Sequence, residues 1–250
     1  MYTLKKSLGQ HFLKDEEVCK RIVNELQQCF YKNLVEVGPG GGALTKYILQ
    51  LEDINFKAVE IDEEKVHYLK STYPALTDKI ITKSFLQIEK PFDEPFAVIG
   101  NFPYNLSTEI LFKILDWKED IQCMIGMFQK EVAQRIAAKE GSKVYGVTSV
   151  LVQAYFNVYY LMDVDETCFN PPPKIKSGVI KLVPRTTAVS MKSQKAFKNL
   201  VKTAFQQRRK TLRNACKGLF LPDVLKQDIF NKRPEQLSVE DFAILSFELP

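Results

Sequence analysis

Histidine is nearly absent from this 250-residue sequence, which has only His11 and His67. Two imidazoles cannot furnish a histidine-built metal centre, so no metal site is expected. The five cysteines (Cys19, Cys29, Cys123, Cys168, Cys216) are scattered, odd in number and free of any CxxC spacing. They read as reduced thiols of a cytoplasmic protein, not as a disulfide frame or a zinc cluster. No apolar run approaches the ~20 residues of a membrane span. Met1-Tyr2-Thr3-Leu4-Lys5-Lys6 leads into polar sequence without the apolar stretch of a secretory signal. A membrane partner is therefore not expected, and no internal repeat or low-complexity tract is present.

One long stretch lacks acid. From Lys174 to Lys217 there are thirteen Lys or Arg and no Asp or Glu, so a chain of net charge +5 leaves about −8 on the rest. A basic block beside an acidic body suggests a polyanion docking face, and a solvated helical face is the plainer alternative.

The remainder is ordinary for a globular chain, 45% apolar and 26% charged. Asp15 or Glu16 caps a helix running to about Cys29. Leu34-Val35-Glu36-Val37 reads as a strand that stops at Gly38-Pro39-Gly40-Gly41-Gly42, and a helix over 43–49 follows. Strands over 56–60, 79–82, 96–100 and 121–128 alternate with helices over 63–70, 108–115 and 129–138, with Ser107 as a cap. That alternation predicts βαβ crossovers and a mainly parallel sheet covered on both faces. Val179–Val183 is a last strand. Beyond Pro184 the pattern turns helical, which places a boundary near Arg185 between a domain over 1–185 and a small all-α domain over 186–250.

Three stations on one sheet edge carry the chemistry. The glycines from Gly38 to Gly42 let a ligand approach the backbone, and the next helix offers free N–H groups. Glu60, at the end of the following strand, is placed to accept hydrogen bonds from both ribose hydroxyls of a nucleoside. These two fit a nicotinamide dinucleotide and S-adenosylmethionine alike.

The third station, Asn101-Phe102-Pro103-Tyr104, breaks the tie. The exocyclic nitrogen of adenine is a poor nucleophile because its lone pair is delocalised into the ring. The Asn101 side-chain oxygen and the Pro103 carbonyl are two acceptors for its two N–H groups. Bound that way, the lone pair turns toward an incoming methyl, and oriented dipoles stabilise the positive charge that develops. Tyr104 offers a stacking face worth ~1–3 kcal/mol. A base inside a duplex cannot reach such a pocket, so the target is flipped out or lies in a loop. Phe169, before the stiff Pro171-Pro172-Pro173 run, is either its second wall or a core residue.

Ser7-Leu8-Gly9-Gln10-His11-Phe12-Leu13, the glycine segment, Asn101–Tyr104, Phe169-Asn170-Pro171-Pro172-Pro173-Lys174 and Phe205–Asn214 occur in that order. Together they resemble the ribosomal RNA adenine N6-dimethyltransferases, of the type acting on the small subunit. The first four elements are also similar to the methylases of large-subunit rRNA that confer erythromycin resistance. The resemblance implies a Rossmann-like α/β fold of the class I methyltransferases that use S-adenosylmethionine, with a small C-terminal all-α domain. It implies that Gln10, His11, Leu13, Gly38, Gly40, Glu60, Ser84 and Asn101 hold the cofactor. Asn101, Pro103 and Tyr104 are then catalytic, and Tyr104 and Phe169 sandwich the base. Arg208, Arg209, Lys210 and Arg213 meet RNA phosphates. The implied substrate is a pair of adjacent adenines in the 3′-terminal hairpin loop of small-subunit rRNA, within an immature ribosomal subunit, approached by a monomer. One departure stands out: after Ile80-Ile81-Thr82 the family usually shows an Asp that accepts from the cofactor's adenine amine, and this chain has Ser84.

Overall fold

A computed structural model describes residues 11–250. Its strands are β1 (Phe12–Leu13), β2 (Asn33–Val37), β3 (Asn55–Val59), β4 (Ile80–Ile81), β5 (Phe96–Asn101), β6 (Ile121–Gln129), β7 (Phe156–Val164), β8 (Phe169–Asn170) and β9 (Ser177–Pro184). The α-helices are α1 (Glu16–Asn24), α2 (Thr45–Ile48), α3 (Glu63–Thr72), α4 (Ser107–Asp116), α5 (Lys130–Ile136), α6 (Val147–Gln153), α7 (Gln194–Gln206), α8 (Leu212–Ala215) and α9 (Val239–Phe247). The chain divides into two compact units, one of residues up to Ala133 with Tyr159–Pro184, the other of Gln134–Val158 with Arg185–Pro250. Gln134–Val158, placed by sequence in the first domain, thus groups with the C-terminal helices.

The first unit carries a sheet of strand order β4-β3-β2-β5-β6-β9-β7. From β4 to β6 neighbouring strands are parallel, and β9 is antiparallel to β6. All five residues of β2 are buried, as are the first five of β5. Strands covered on both faces favour continuous apolar runs: β5 supplies one from Phe96 to Ile99, while β2 also buries Asn33 and Glu36. The chain leaves β2 toward β3 on one side and later returns to β5 on the other. The strand order therefore reverses between β2 and β5, where a crevice opens at the carboxyl ends.

Packing fixes the ends of the central strands. Gly100 of β5 lies opposite Gly126 of β6. A Cβ on Gly100 would come within 2.6 Å of the Phe102 ring, and one on Gly126 within 2.4 Å. Two bare backbones thus make the room that Phe102 fills, 1% exposed and edge-on to Phe128 with centroids 5.0 Å apart. Full burial of such a ring is worth about 1.5–3 kcal/mol. Asp15 caps α1 by accepting from the N–H groups of Glu17 and Val18. Ser107 does not act as the cap its position suggested. It lies within α4 and turns its hydroxyl back onto the preceding loop.

Cys29 and Cys123, expected as free thiols, are joined as a disulfide with Cα atoms 6.2 Å apart, inside the usual range for such a bond. Packing of the 3-10 turn over 25–28 against β6 brings them together across 94 residues, which spacing along the chain does not reveal. Cys19, Cys168 and Cys216 are free. Among the described residues no helix is long and apolar enough to cross a membrane.

In the second unit α7 buries Phe197, Leu200, Val201 and Ala204, a stripe at helical spacing, and packs against α6 and α9. Ser238 and Asp241 form a reciprocal capping box that starts α9. The region beyond α7 is less helical than its sequence suggested, because short 3-10 turns at 224–226, 228–231 and 234–236 replace a continuous helix.

Candidate functional site

Where β2 ends, Gly38, Gly40 and Gly42 take φ of +67°, +57° and +82°, a left-handed backbone that glycine adopts without steric cost. A Cβ on Gly38 would meet nothing within 4 Å, so the turn faces open cavity there. One on Gly40 would approach the Phe12 ring to 3.1 Å. The Gly40 N–H donates to Glu60 Oε2 at 3.1 Å, and the Asp62 N–H donates to Glu60 Oε1 at 3.0 Å. Each carboxylate oxygen is held by one backbone donor and keeps a lone pair for a ligand hydroxyl.

Behind that turn sits Glu36, 1% exposed, whose Oε2 accepts from the Thr45 hydroxyl at 2.6 Å. Burial, reinforced by the charge of Glu60 and opposed by the Thr45 bond, pushes its carboxyl up to about 8. Residue type and spacing gave no reason to single out Glu36, since a buried acid at a strand end shows itself only once both faces are covered.

At the end of β5 the tetrapeptide is braced residue by residue. Asn101 Nδ2 donates to the His11 carbonyl at 3.2 Å. A carbonyl only accepts, so the amide orientation is set and Oδ1 remains an acceptor. The Phe102 N–H donates to Met127 O at 3.2 Å. Pro103 O accepts from the Leu106 N–H at 3.0 Å, and Ser107 Oγ lies 3.1 Å from both Pro103 O and Tyr104 O, so the second lone pair of Pro103 O stays open when the Ser107 hydroxyl turns to Tyr104 O. The Tyr104 hydroxyl lies 2.5 Å from Ser177 Oγ, and burial raises its phenol above the ordinary value. The His11 ring stacks beside Tyr104 with centroids 5.7 Å apart, and its Nδ1 lies 2.9 Å from Pro171 O.

One cavity gathers most of the predicted residues. His11, Leu13, Gly38, Gly40, Glu60, Ser84, Asn101, Pro103 and Tyr104 all line it. Gln10 lies outside the described residues. Phe169 is not in the lining: it is 1% exposed, in register with Leu13 through the β1–β8 ladder, and part of the apolar core. That is the packed position of a core phenylalanine, the second of the two roles its sequence allows. Ile61, Lys65 and Lys83 join the lining without having been singled out. Lys65 is 3% exposed, with its ammonium 4.9 Å from the centre of the Phe12 ring.

The basic candidates lie in the second unit. Arg208 donates to Ser142 O at 3.1 Å and lies 3.9 Å from Glu235, while Arg213 Nε donates to Leu225 O at 2.9 Å. Part of each guanidinium is thus used to hold the fold. Arg209 and Lys210 are exposed, as are Lys195, Lys198 and Lys202, which form a stripe on α7 away from its apolar face. The basic block is not one uniform face. Lys181 is buried against Glu25 and Gln28 in the first unit, and Arg185 pairs with Glu240 in the second.

A parallel sheet that reverses at β2 and β5, a glycine turn, a ribose-ready carboxylate and an oriented amide on one rim define an S-adenosylmethionine-dependent methyltransferase. The lining fits that cofactor: open space at the Gly38 backbone admits its methionine part, and Glu60 retains lone pairs for its ribose.

Residues 1–246 match the family described as ribosomal RNA adenine dimethylase, and the chain belongs to that family. A relative from Flavobacterium johnsoniae named ribosomal RNA small subunit methyltransferase A is 52% identical, with 97% of this chain and 94% of the relative covered. A protein of the same name from Phocaeicola vulgatus is 51% identical, with 97% and 88% covered. Among solved structures, a dimethyladenosine transferase from Plasmodium falciparum superposes with a TM-score of 0.80 at 25% identity, covering 94% of this chain and 95% of that one. The 23S rRNA methyltransferase ErmE shares the fold at a TM-score of 0.70 and 21% identity, with 95% and 99% covered.

Proposed function

We propose that this protein dimethylates N6 of two adjacent adenines in the 3′-terminal hairpin loop of small-subunit rRNA, acting as a monomer on an immature ribosomal subunit in the cytoplasm. The small subunit is favoured because the relatives of about half-identical sequence carry that target in their names. The cytoplasmic setting follows from the substrate, since the argument from uniformly reduced thiols does not extend to Cys29 and Cys123.

The orientation of Asn101 carries the reading. With Nδ2 committed to the His11 carbonyl, Oδ1 is the acceptor presented for an amine. Pro103 O, steadied by the Leu106 N–H, is the second acceptor when the Ser107 hydroxyl serves Tyr104 O. Two acceptors on one NH2 group rotate its lone pair out of conjugation and stabilise the charge it acquires, which is preorganised electrostatics in place of a general base. Bound S-adenosylmethionine supplies an electrophilic methyl on a sulfonium. Glu60 and the Gly38–Gly40 backbone hold its nucleoside and methionine ends, and Ser84 meets the adenine. Tyr104 offers its ring to the target base, while Arg209, Lys210 and the α7 lysines, with the uncommitted donors of Arg208 and Arg213, hold phosphates without selecting the base.

The test is transfer of labelled methyl from S-adenosylmethionine to immature small subunits, counted per subunit and mapped by primer extension. Four methyls on two neighbouring adenines is the expected result. No incorporation at saturating cofactor would overturn the assignment, and label on large-subunit rRNA would redirect it.

A further inference from the structure

We propose that Ser177 is a positioning residue for base capture, its hydroxyl holding the Tyr104 ring at the angle at which a flipped adenine stacks. This rests on the function proposed above and adds a residue 73 positions away from the tetrapeptide.

Three observations support it. Ser177 is fully buried and opens β9, where it lies opposite Gln129 of β6 in an antiparallel ladder. Its backbone is therefore fixed by a strand, whereas Tyr104 stands on a short 3-10 turn over 104–106. The next residue leaves no slack, since a Cβ on Gly178 would come within 2.6 Å of the Tyr160 hydroxyl and 2.8 Å of Ala133. The bond itself spans 2.5 Å and ties down the far end of the ring.

A tyrosine has two side-chain torsions. With the backbone set by the turn and the hydroxyl set by Ser177, neither torsion is free, and the His11 ring limits swing on one side. A wall already immobile does not have to be ordered when the base arrives, so affinity for the target rises without any new contact to it. Ser177 reaches neither cofactor nor base in this arrangement and works through Tyr104 alone.

The experiment uses the full-length protein, immature small subunits and labelled cofactor, with S177A, Y104F and the double variant. Each single variant removes the same hydrogen bond from opposite ends. Each is expected to raise KM for subunits roughly three- to tenfold, with kcat changed less. Calorimetric affinity for S-adenosylmethionine should stay within about twofold of wild type. The double variant should lose no more than the worse single one, because there is only one bond to lose. Independent losses that multiply would refute the proposal, as would an unchanged KM in either single variant. Should S177A fold poorly, Y104F gives the same reading without touching the strand. Wild-type protein that transfers no methyl sinks the functional assignment and this proposal together. Active wild type with an indifferent Y104F sinks this proposal alone.

Discussion

The turn after β2 and the turn after β5 sit on neighbouring strands of one sheet and solve opposite problems. The first must let a ligand lie against bare backbone, and it does so by removing side chains: three glycines take positive φ, and Gly38 borders open space. The second must hold polar atoms still, and it does so by adding braces. His11 O, Met127 O, the Leu106 N–H, Ser107 and Ser177 between them hold the residues from Asn101 to Tyr104. On the function proposed above, backbone geometry would shape the cofactor side and hydrogen-bonded anchoring the target side. Damage should therefore read out differently: as lost cofactor affinity in the first turn and as lost rate in the second.

Asn101→Ala should show the largest effect. It deletes the Oδ1 acceptor and leaves the His11 carbonyl without its partner, and loss of one preorganised polar group at a developing charge costs about 10²–10³ in rate. Single-turnover methyl transfer on immature subunits measures this, while calorimetry should record a much smaller change in cofactor affinity. A Gly40→Ala variant should invert the pattern. Its Cβ would press on Phe12 at 3.1 Å from a φ of +57°, a strain of about 1–3 kcal/mol felt in cofactor binding. If both variants damage affinity and rate alike, the division between the two turns is wrong.

Gly126→Ala probes the packing beneath the second turn. Its Cβ would lie 2.4 Å from the Phe102 ring and 2.7 Å from Phe128, and overpacking of this kind costs about 1–3 kcal/mol in stability. Adding Phe102→Leu should recover part of that loss, because a smaller side chain vacates the contested space. A thermal-melt series on the single and double variants decides it. No recovery would mean that Phe128 or Met124 is the true obstacle.

The place of both turns on one cavity rim was legible because each is a contiguous string whose residue types are rarely combined by chance. Gly38–Gly42 and Asn101–Tyr104 announce themselves, and Glu60 follows from its place at the next strand end. Contacts between segments far apart in sequence were not legible. Ser177 against Tyr104, Cys29 against Cys123 and Phe169 against Leu13 join residues from 73 to 156 positions apart, and periodicity carries no information about them. β7 was missed because most of its residues are only half-buried or exposed, and Asn157, two tyrosines and Asp163 interrupt the apolar run. Net charge over 174–217 was readable, but how many of those cations are already paired depends on acids far away in sequence, such as Glu25 for Lys181 and Glu240 for Arg185.

Glu36 makes stability depend on pH. Unfolded, its carboxyl titrates near 4.5, and burial in the folded chain raises it to about 8. Between those values the native state keeps a proton that the unfolded chain releases. Stability from this group is thus full below pH 4.5 and declines as pH rises through 8, by at most about 1.4 kcal/mol per pH unit. Glu36→Gln, which mimics the protonated form, should flatten melting temperature against pH across that window. An unchanged slope would place the titration elsewhere.

The smallest expected effect is at Ser84. It ends the stretch after β4, starts a 3-10 turn over 85–87 without making a side-chain capping bond to it, and lines the cavity. Its hydroxyl is thus available to accept from the cofactor's adenine amine, where the family resemblance leads one to expect a carboxylate. A neutral acceptor forgoes the charge assistance that a carboxylate gives, a difference of about 1 kcal/mol. Ser84→Asp should therefore tighten S-adenosylmethionine binding roughly fivefold, read by calorimetric titration, with little change in single-turnover rate at saturating cofactor. Lys83 beside it in the cavity lining works in the same direction, since a cation favours the new carboxylate in its charged form. Equal affinities in the two proteins would show that the adenine is held by its faces, by apolar lining residues such as Ile61, Phe85 and Leu86, and not by its amine.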